Sequence, residues 1–128
     1  MSKRKILIVD DEKGFTDMLS LNLEAKGSYE VQVENDASQA LSTALAFRPD
    51  LILLDIIMPQ KKGVVVAREI EKNETLRGIP IVFLTATVAK DDTDAQMDKS
   101  GGHTFISKPT SLDVLLACIE KKLVATRP

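Results

Sequence analysis

The chain has 128 residues, 44% of them hydrophobic, which is enough for one apolar core and too little for two. Charged residues make up 28% but sum to a net charge of −2, excluding a global field that would draw the protein to nucleic acid or an anionic membrane. The single cysteine, Cys118, excludes an internal disulfide and suits a reducing cytoplasm. The apolar run Ile6 to Val9 behind the basic start is far too short for a signal peptide or membrane span before Asp10-Asp11 interrupts it.

Lys5 to Val9 is a short β-branched run that predicts a first strand. From Glu12 the spacing changes to Phe15, Met18, Leu19 and Leu23, one face of a helix that Gly27 closes as a C-cap. Tyr29, Val31 and Val33 alternate with polar residues in a second strand. Asp36 then caps a second helix, with Gln39 completing a capping box and Ala37, Ala40, Leu41, Ala44 and Leu45 as its buried stripe. Leu51-Ile52-Leu53-Leu54-Asp55 is apolar without alternation, the pattern of a parallel strand buried on both faces, and it ends in a carboxylate that needs a partner there.

A polar loop after Pro59 leads at Gly63 into a third helix, Val64 to Glu71, with Val64, Val65, Val66, Ala67 and Ile70 expected to be well buried. The fourth strand runs Ile79 to Leu84, with Pro80 tolerated at its start, and ends at Thr85. A fourth helix is expected over Lys90 to Ser100, with acidic residues in its first turn and a thin apolar stripe of Ala95 and Met97, so it is the element most able to move. Thr104-Phe105-Ile106 forms a fifth strand ending at Ser107-Lys108. Thr110-x-x-Asp113 caps a last helix whose inward residues are Leu112, Leu115, Leu116, Ile119 and Leu123.

Strands alternating with helices in this way specify an α/β doubly wound parallel sheet, in which ligands bind beyond the carboxyl ends of the strands. The first strand ends in Asp10 and Asp11, the third in Asp55, the fourth in Thr85 and the fifth in Lys108, so all the groups needing partners arrive at one rim. Three carboxylates there repel one another unless a cation shares the site, and oxygen-only donors favour a hard ion, of which Mg²⁺ fits best. A carboxylate, a hydroxyl, an ammonium and Mg²⁺ together suit phosphoryl transfer, with Asp55 as nucleophile and Thr85 and Lys108 meeting the phosphoryl oxygens.

Each residue also has a plainer reading. Asp-Asp after a strand is often a helix cap, Thr85 a good strand former, Lys108 a solvated lysine and Phe105 a core residue. His103 reads as a surface loop residue. Val114, Ala117 and Cys118 either flank the core or form a modest apolar strip for a partner or a second copy.

Four motifs at these spacings resemble the response-regulator receiver domain of the CheY-like type, over roughly Lys5 to Leu123. They are Asp10-Asp11, then Asp55 with Met58-Pro59 and Gly63 in a D-x-x-M-P-x-x-x-G pattern, then Leu84-Thr85-Ala86, then Lys108-Pro109. The resemblance implies a (βα)5 flavodoxin-like sheet of strand order 2-1-3-4-5, making residues 1–128 a single receiver domain with its core at about 5–124 and no output domain in this chain. It implies that Asp55 is the phosphoacceptor for a histidine kinase or His-phosphotransfer protein, and that Asp10, Asp55 and the Ile57 backbone carbonyl hold Mg²⁺, with Asp11 bound directly or through water. Thr85 and Phe105 are then the switch pair, and a cis peptide joins Lys108 to Pro109.

The output implied is a changed face of fourth helix, fifth strand and fifth helix that controls a downstream effector protein or domain. A phosphorylation-dependent homodimer is a further partner class, while direct nucleic-acid and membrane contacts are not implied. On this view the protein is a signalling switch, cytoplasmic, whose only catalysis is its own aspartate phosphorylation and dephosphorylation.

Departures from the family pattern are Lys61-Lys62 before Gly63 and Thr110 after Lys108-Pro109, which bear on which kinase is recognised. Ile57 and Thr87 stand where the family controls water access. Isoleucine cannot orient a water by hydrogen bonding, so unusually fast hydrolysis is not expected. Two rivals are a haloacid-dehalogenase-like phosphatase, which needs a second aspartate where Ile57 stands, and a receiver-like interaction module that never meets phosphate.

Overall fold

The computed structural model describes residues 3–85, 104–108 and 111–125. The expected helix over 90–100, together with Thr87, His103, Pro109 and Thr110, lies outside the described residues, as does the Lys108–Pro109 peptide. Five strands, β1 (Arg4–Val9), β2 (Tyr29–Glu34), β3 (Leu51–Asp55), β4 (Ile81–Thr85) and β5 (Thr104–Ser107), form one parallel sheet in the order β2-β1-β3-β4-β5. The expected doubly wound fold and strand order are therefore borne out. Among the described residues the α-helices are α1 (Lys13–Glu24), α2 (Ala40–Phe47), α3 (Gly63–Lys72) and α4 (Leu112–Ala125), and a short 3-10 turn, Ala37–Gln39, leads into α2.

Burial on both faces of the central strands follows from where these helices pack. Leu7, Val9, Ile52, Leu54 and Phe83 meet α2 and α3 on one side, while Ile6, Ile8, Leu51, Leu53, Val82 and Leu84 meet α1 and α4 on the other. All five β3 residues are buried, including Asp55. Strand register then sets the rim. Val9 pairs with Leu54, so Asp10 comes level with Asp55; Asp55 pairs with Leu84 and Thr85 with Ser107, so Lys108 stands just beyond them.

Three expected core residues are on the surface, all for one geometric reason. A helix buries a single stripe spaced at i, i+3, i+4 and i+7, and an apolar residue off that spacing faces water. In α1 the stripe is Thr16, Leu19 and Leu23, which leaves Met18 exposed. Thr16 is buried because its hydroxyl is satisfied, donating to the Lys13 carbonyl at 3.1 Å and accepting from Asn35 Nδ2 at 3.0 Å. In α3, Gly63, Val66, Ala67 and Ile70 face inward, which turns Val64 outward. In α2, Ala40 and Ala44 take the inner positions and Leu45 is exposed.

Helix ends follow local chemistry, with one correction. Asp36 accepts from the Ser38 N–H at 2.9 Å and so caps the 3-10 turn, but the reciprocal bond expected from Gln39 is made by Glu34, whose Oε2 accepts from the Asp36 N–H at 3.0 Å. The last helix is capped by Ser111, whose Oγ accepts from the Val114 N–H at 3.1 Å. Gly27 has φ +82° after α1, and Arg48 adopts φ 57° to end α2.

Candidate functional site

Asp10 follows β1 directly, and its carboxylate is fully buried. Two bonds fix it: the Glu12 N–H donates to Asp10 Oδ1 at 2.9 Å, and Asn35 Nδ2 donates to the Asp10 carbonyl at 2.8 Å. One carboxylate oxygen from each of Asp10, Asp11 and Asp55 lies within 4.8 Å of the others. The Lys108 ammonium enters this cluster from β5. Its Nζ donates to Asp10 Oδ2 at 2.8 Å and to Glu12 Oε1 at 2.8 Å, stands 3.8 Å from Asp55 Oδ1, and lies 4.6 Å from the centroid of the Phe15 ring. Carboxylates on three sides and an aromatic face on the fourth hold the cation in place.

The charge balance is visible in the protonation of the site. Burial is the main cause pushing the Asp55 pKa up to about 6; Asp10 and Asp11 push the same way, while Lys108 and the Ile57 backbone N–H pull it down. Burial alone would lower the Lys108 pKa, but its hydrogen bonds to Asp10 and Glu12 prevail and hold it above the ordinary lysine value. One ammonium thus leaves the carboxylates short of positive charge, and a cluster of hard oxygen donors with that deficit suits a divalent cation such as Mg²⁺.

The backbone beside Asp55 is shaped by Gly63. Its N–H donates to the Ile56 carbonyl at 2.7 Å, and a Cβ built on it would stand 2.1 Å from the Asp55 carbonyl oxygen. That approach explains the fixed distance between Asp55 and the glycine in the sequence motif, and Met58 is buried beneath the same loop. Thr85 is buried at the end of β4, and its carbonyl accepts from the Lys108 N–H at 2.8 Å. Phe105, half-buried, stacks on Phe83 with ring centroids 5.0 Å apart.

The match to known proteins is decisive. Residues 6–120 fit the model of the response regulator receiver domain. The chain belongs to this family. A receiver domain from Methanospirillum hungatei described as CheY-like superposes with a TM-score of 0.83 at 27% identity, covering 98% of this chain and 97% of that one. The beryllofluoride-activated N-terminal receiver domain of Klebsiella pneumoniae RstA gives 0.78 at 29%, covering 94% and 98%. A curated relative, the DNA-binding dual master transcriptional regulator RpaA of Synechocystis, is 34% identical over 95% of this chain, which spans about half the length of that relative.

The receiver brings together the expected residues Asp10, Asp11, Asp55 and Lys108, sets Thr85 on the adjoining strand end, and leaves the Ile57 side chain 59% exposed beside them. Sequence reasoning missed Glu12, Phe15 as the seat of the ammonium, and the Asn35–Thr16 pair beneath Asp10. Of the two loop lysines, Lys61 is tied to Glu69 of α3 at 3.0 Å.

A pKa raised in the folded receiver sets the sign of a stability effect. An Asp55 carboxyl near 6 when folded and near 3.9 when unfolded contributes stability at low pH that is lost as pH rises through about 6. Asp55→Asn removes that penalty, so with metal chelated it should be more stable than wild type by about 1–3 kcal/mol at neutral pH and by little below about pH 4. Urea melts of both proteins in EDTA across this range check it, and equal neutral-pH stabilities would refute it.

Proposed function

We propose that this receiver domain is a phosphoacceptor switch in which Asp55 takes a phosphoryl group from a histidine kinase or His-phosphotransfer protein. The observation that carries this reading is the convergence of three carboxylates and one buried ammonium at the carboxyl rim of the sheet. An Asp55 carboxylate oxygen attacks phosphorus, a new P–O bond forms as the donor's bond to phosphorus breaks, and the leaving group departs with that electron pair. Asp10, Asp55 and the Ile57 carbonyl are the residues that would hold Mg²⁺, with Asp11 bound directly or through water. Bound there, the ion supplies charge that offsets the build-up on the phosphoryl oxygens.

Lys108 already stands 3.8 Å from Asp55 and is positioned to meet the same oxygens. Thr85 donates its hydroxyl to one of them and, through its carbonyl bond to the Lys108 N–H, links the ends of β4 and β5. Phe105, stacked on Phe83, follows as that link moves, and the face that includes β5 and α4 changes for a downstream effector protein, domain or second copy. The residues 1–128 then act as one receiver unit without direct nucleic-acid or membrane contact, in the cytoplasm. No helix among the described residues is long and apolar enough to cross a membrane.

Incubation with Mg²⁺ and acetyl phosphate tests the reading by mass spectrometry. Wild type should gain one phosphoryl group and Asp55→Asn none. No adduct on wild type, or the same adduct on Asp55→Asn, sinks the proposal, and sustained phosphate release would indicate a phosphatase.

A further inference from the structure

We infer that Glu12 is a positioning residue whose carboxylate competes with an incoming phosphoryl group for Lys108, and so restrains phosphorylation of Asp55. The inference rests on the phosphoacceptor reading above. It begins from a mismatch at the start of α1. Glu12 holds the N-cap position with extended backbone, φ −84° and ψ 97°, yet its side chain makes no capping hydrogen bond. An N-cap normally spends its side-chain oxygen on the first free N–H groups of the helix. Glu12 instead spends its carboxylate on Lys108 Nζ, at 2.8 Å.

The carboxylates around this ammonium differ in their freedom to leave. Asp10 has no exposed side-chain surface, and its Oδ1 is held by the Glu12 N–H, so it cannot withdraw from Lys108. Asp55 Oδ1, at 3.8 Å, is beyond hydrogen-bond distance. Glu12 matches Asp10 in distance to Lys108, but its side chain is 63% exposed. Its backbone is anchored while its carboxylate can swing into water at the small cost of an exposed ion pair. Phe15 limits the alternative, because its ring, 4.6 Å from Nζ, keeps the ammonium over the site when Glu12 lets go.

Lys108 Nζ carries three N–H donors and gives two of them to Asp10 and Glu12, so a phosphoryl oxygen arriving on Asp55 competes with the Glu12 carboxylate for the same ammonium charge. In the resting protein Glu12 offsets part of the ammonium charge, and an incoming dianionic donor must approach the negative charge of Glu12 to reach Asp55. A donor with less net negative charge meets less of this opposition. Removing the charge should then speed phosphorylation, and do so selectively by donor.

The test is the rate of Asp55 phosphorylation at saturating Mg²⁺ with acetyl phosphate and, separately, with phosphoramidate, whose ammonium-type nitrogen lowers its net charge. Glu12→Gln should be about three- to ten-fold faster than wild type with acetyl phosphate, the size expected for one exposed charge, and less accelerated with phosphoramidate. Glu12→Asp, which keeps the charge, should stay near wild type. An unchanged or slower Glu12→Gln, an equal gain with both donors, or an equal gain in Glu12→Asp overturns the role of Glu12. Absence of any wild-type phosphorylation would instead overturn the reading on which the role rests.

Discussion

Gly63→Ala will destabilise the domain by about 3 kcal/mol or more and slow phosphorylation of Asp55 by roughly a hundredfold. The added Cβ would sit 2.1 Å from the Asp55 carbonyl oxygen and 2.8 Å from the Ile56 Cα. Both obstacles are backbone, so no side-chain rotation relieves the overlap, and close-packed surroundings transmit the displacement. Either α3 retreats and the Gly63 N–H loses its 2.7 Å bond to the Ile56 carbonyl, or the Asp55–Ile57 backbone moves. The second route shifts the Asp55 carboxylate and the Ile57 carbonyl together. No positive φ is involved at Gly63, so the requirement is for space alone. Equilibrium unfolding and the acetyl phosphate rate measured on the same preparation check both effects. A variant within about 0.5 kcal/mol of wild type would show that the loop yields freely.

The sheet was legible because fully apolar strands such as Leu51 to Leu54 can be satisfied only between two helical layers. The rim was legible for the same reason: a charge at the end of such a strand has one place to go. What the pattern could not supply was the choice among adjacent apolar residues. Val64, Val65 and Val66 are equivalent in a string of letters, and only the direction of α3 over the sheet selects Val66 for burial. Met18 lost its inner place to Thr16, a polar residue whose burial depends on Asn35, nineteen positions away. Glu12 is not marked in the sequence because acidic residues at helix starts have an ordinary use in the helix dipole, and its bond to a lysine 96 residues later has no local signature. The reciprocal half of the Asp36 cap failed for a related reason, since Glu34, preceding the turn, reaches the N–H that Gln39 was expected to meet.

Lys108→Met should cost about 3–5 kcal/mol at neutral pH without divalent cation, because it leaves the buried Asp10 carboxylate without its counter-charge. Methionine keeps a flexible apolar stem to lie against Phe15, so the loss reports the ammonium more than the packing. After the substitution Asp10 retains the Glu12 N–H on Oδ1, but nothing replaces the 2.8 Å ammonium contact on Oδ2. Asp55 loses the Lys108 charge that lowers its pKa, so its value rises further above about 6. The sign follows directly: the variant's deficit is smallest in acid, where Asp55 is protonated in both folded and unfolded states, and grows as pH rises through the elevated folded value. A divalent cation, which brings positive charge to the same carboxylates, should recover part of the loss in Lys108→Met and stabilise it more than it stabilises wild type. Denaturant melts of both proteins with EDTA and with Mg²⁺ measure this directly. A deficit below about 1 kcal/mol in EDTA, or one that Mg²⁺ leaves unchanged, would mean that the ammonium is not what neutralises the rim.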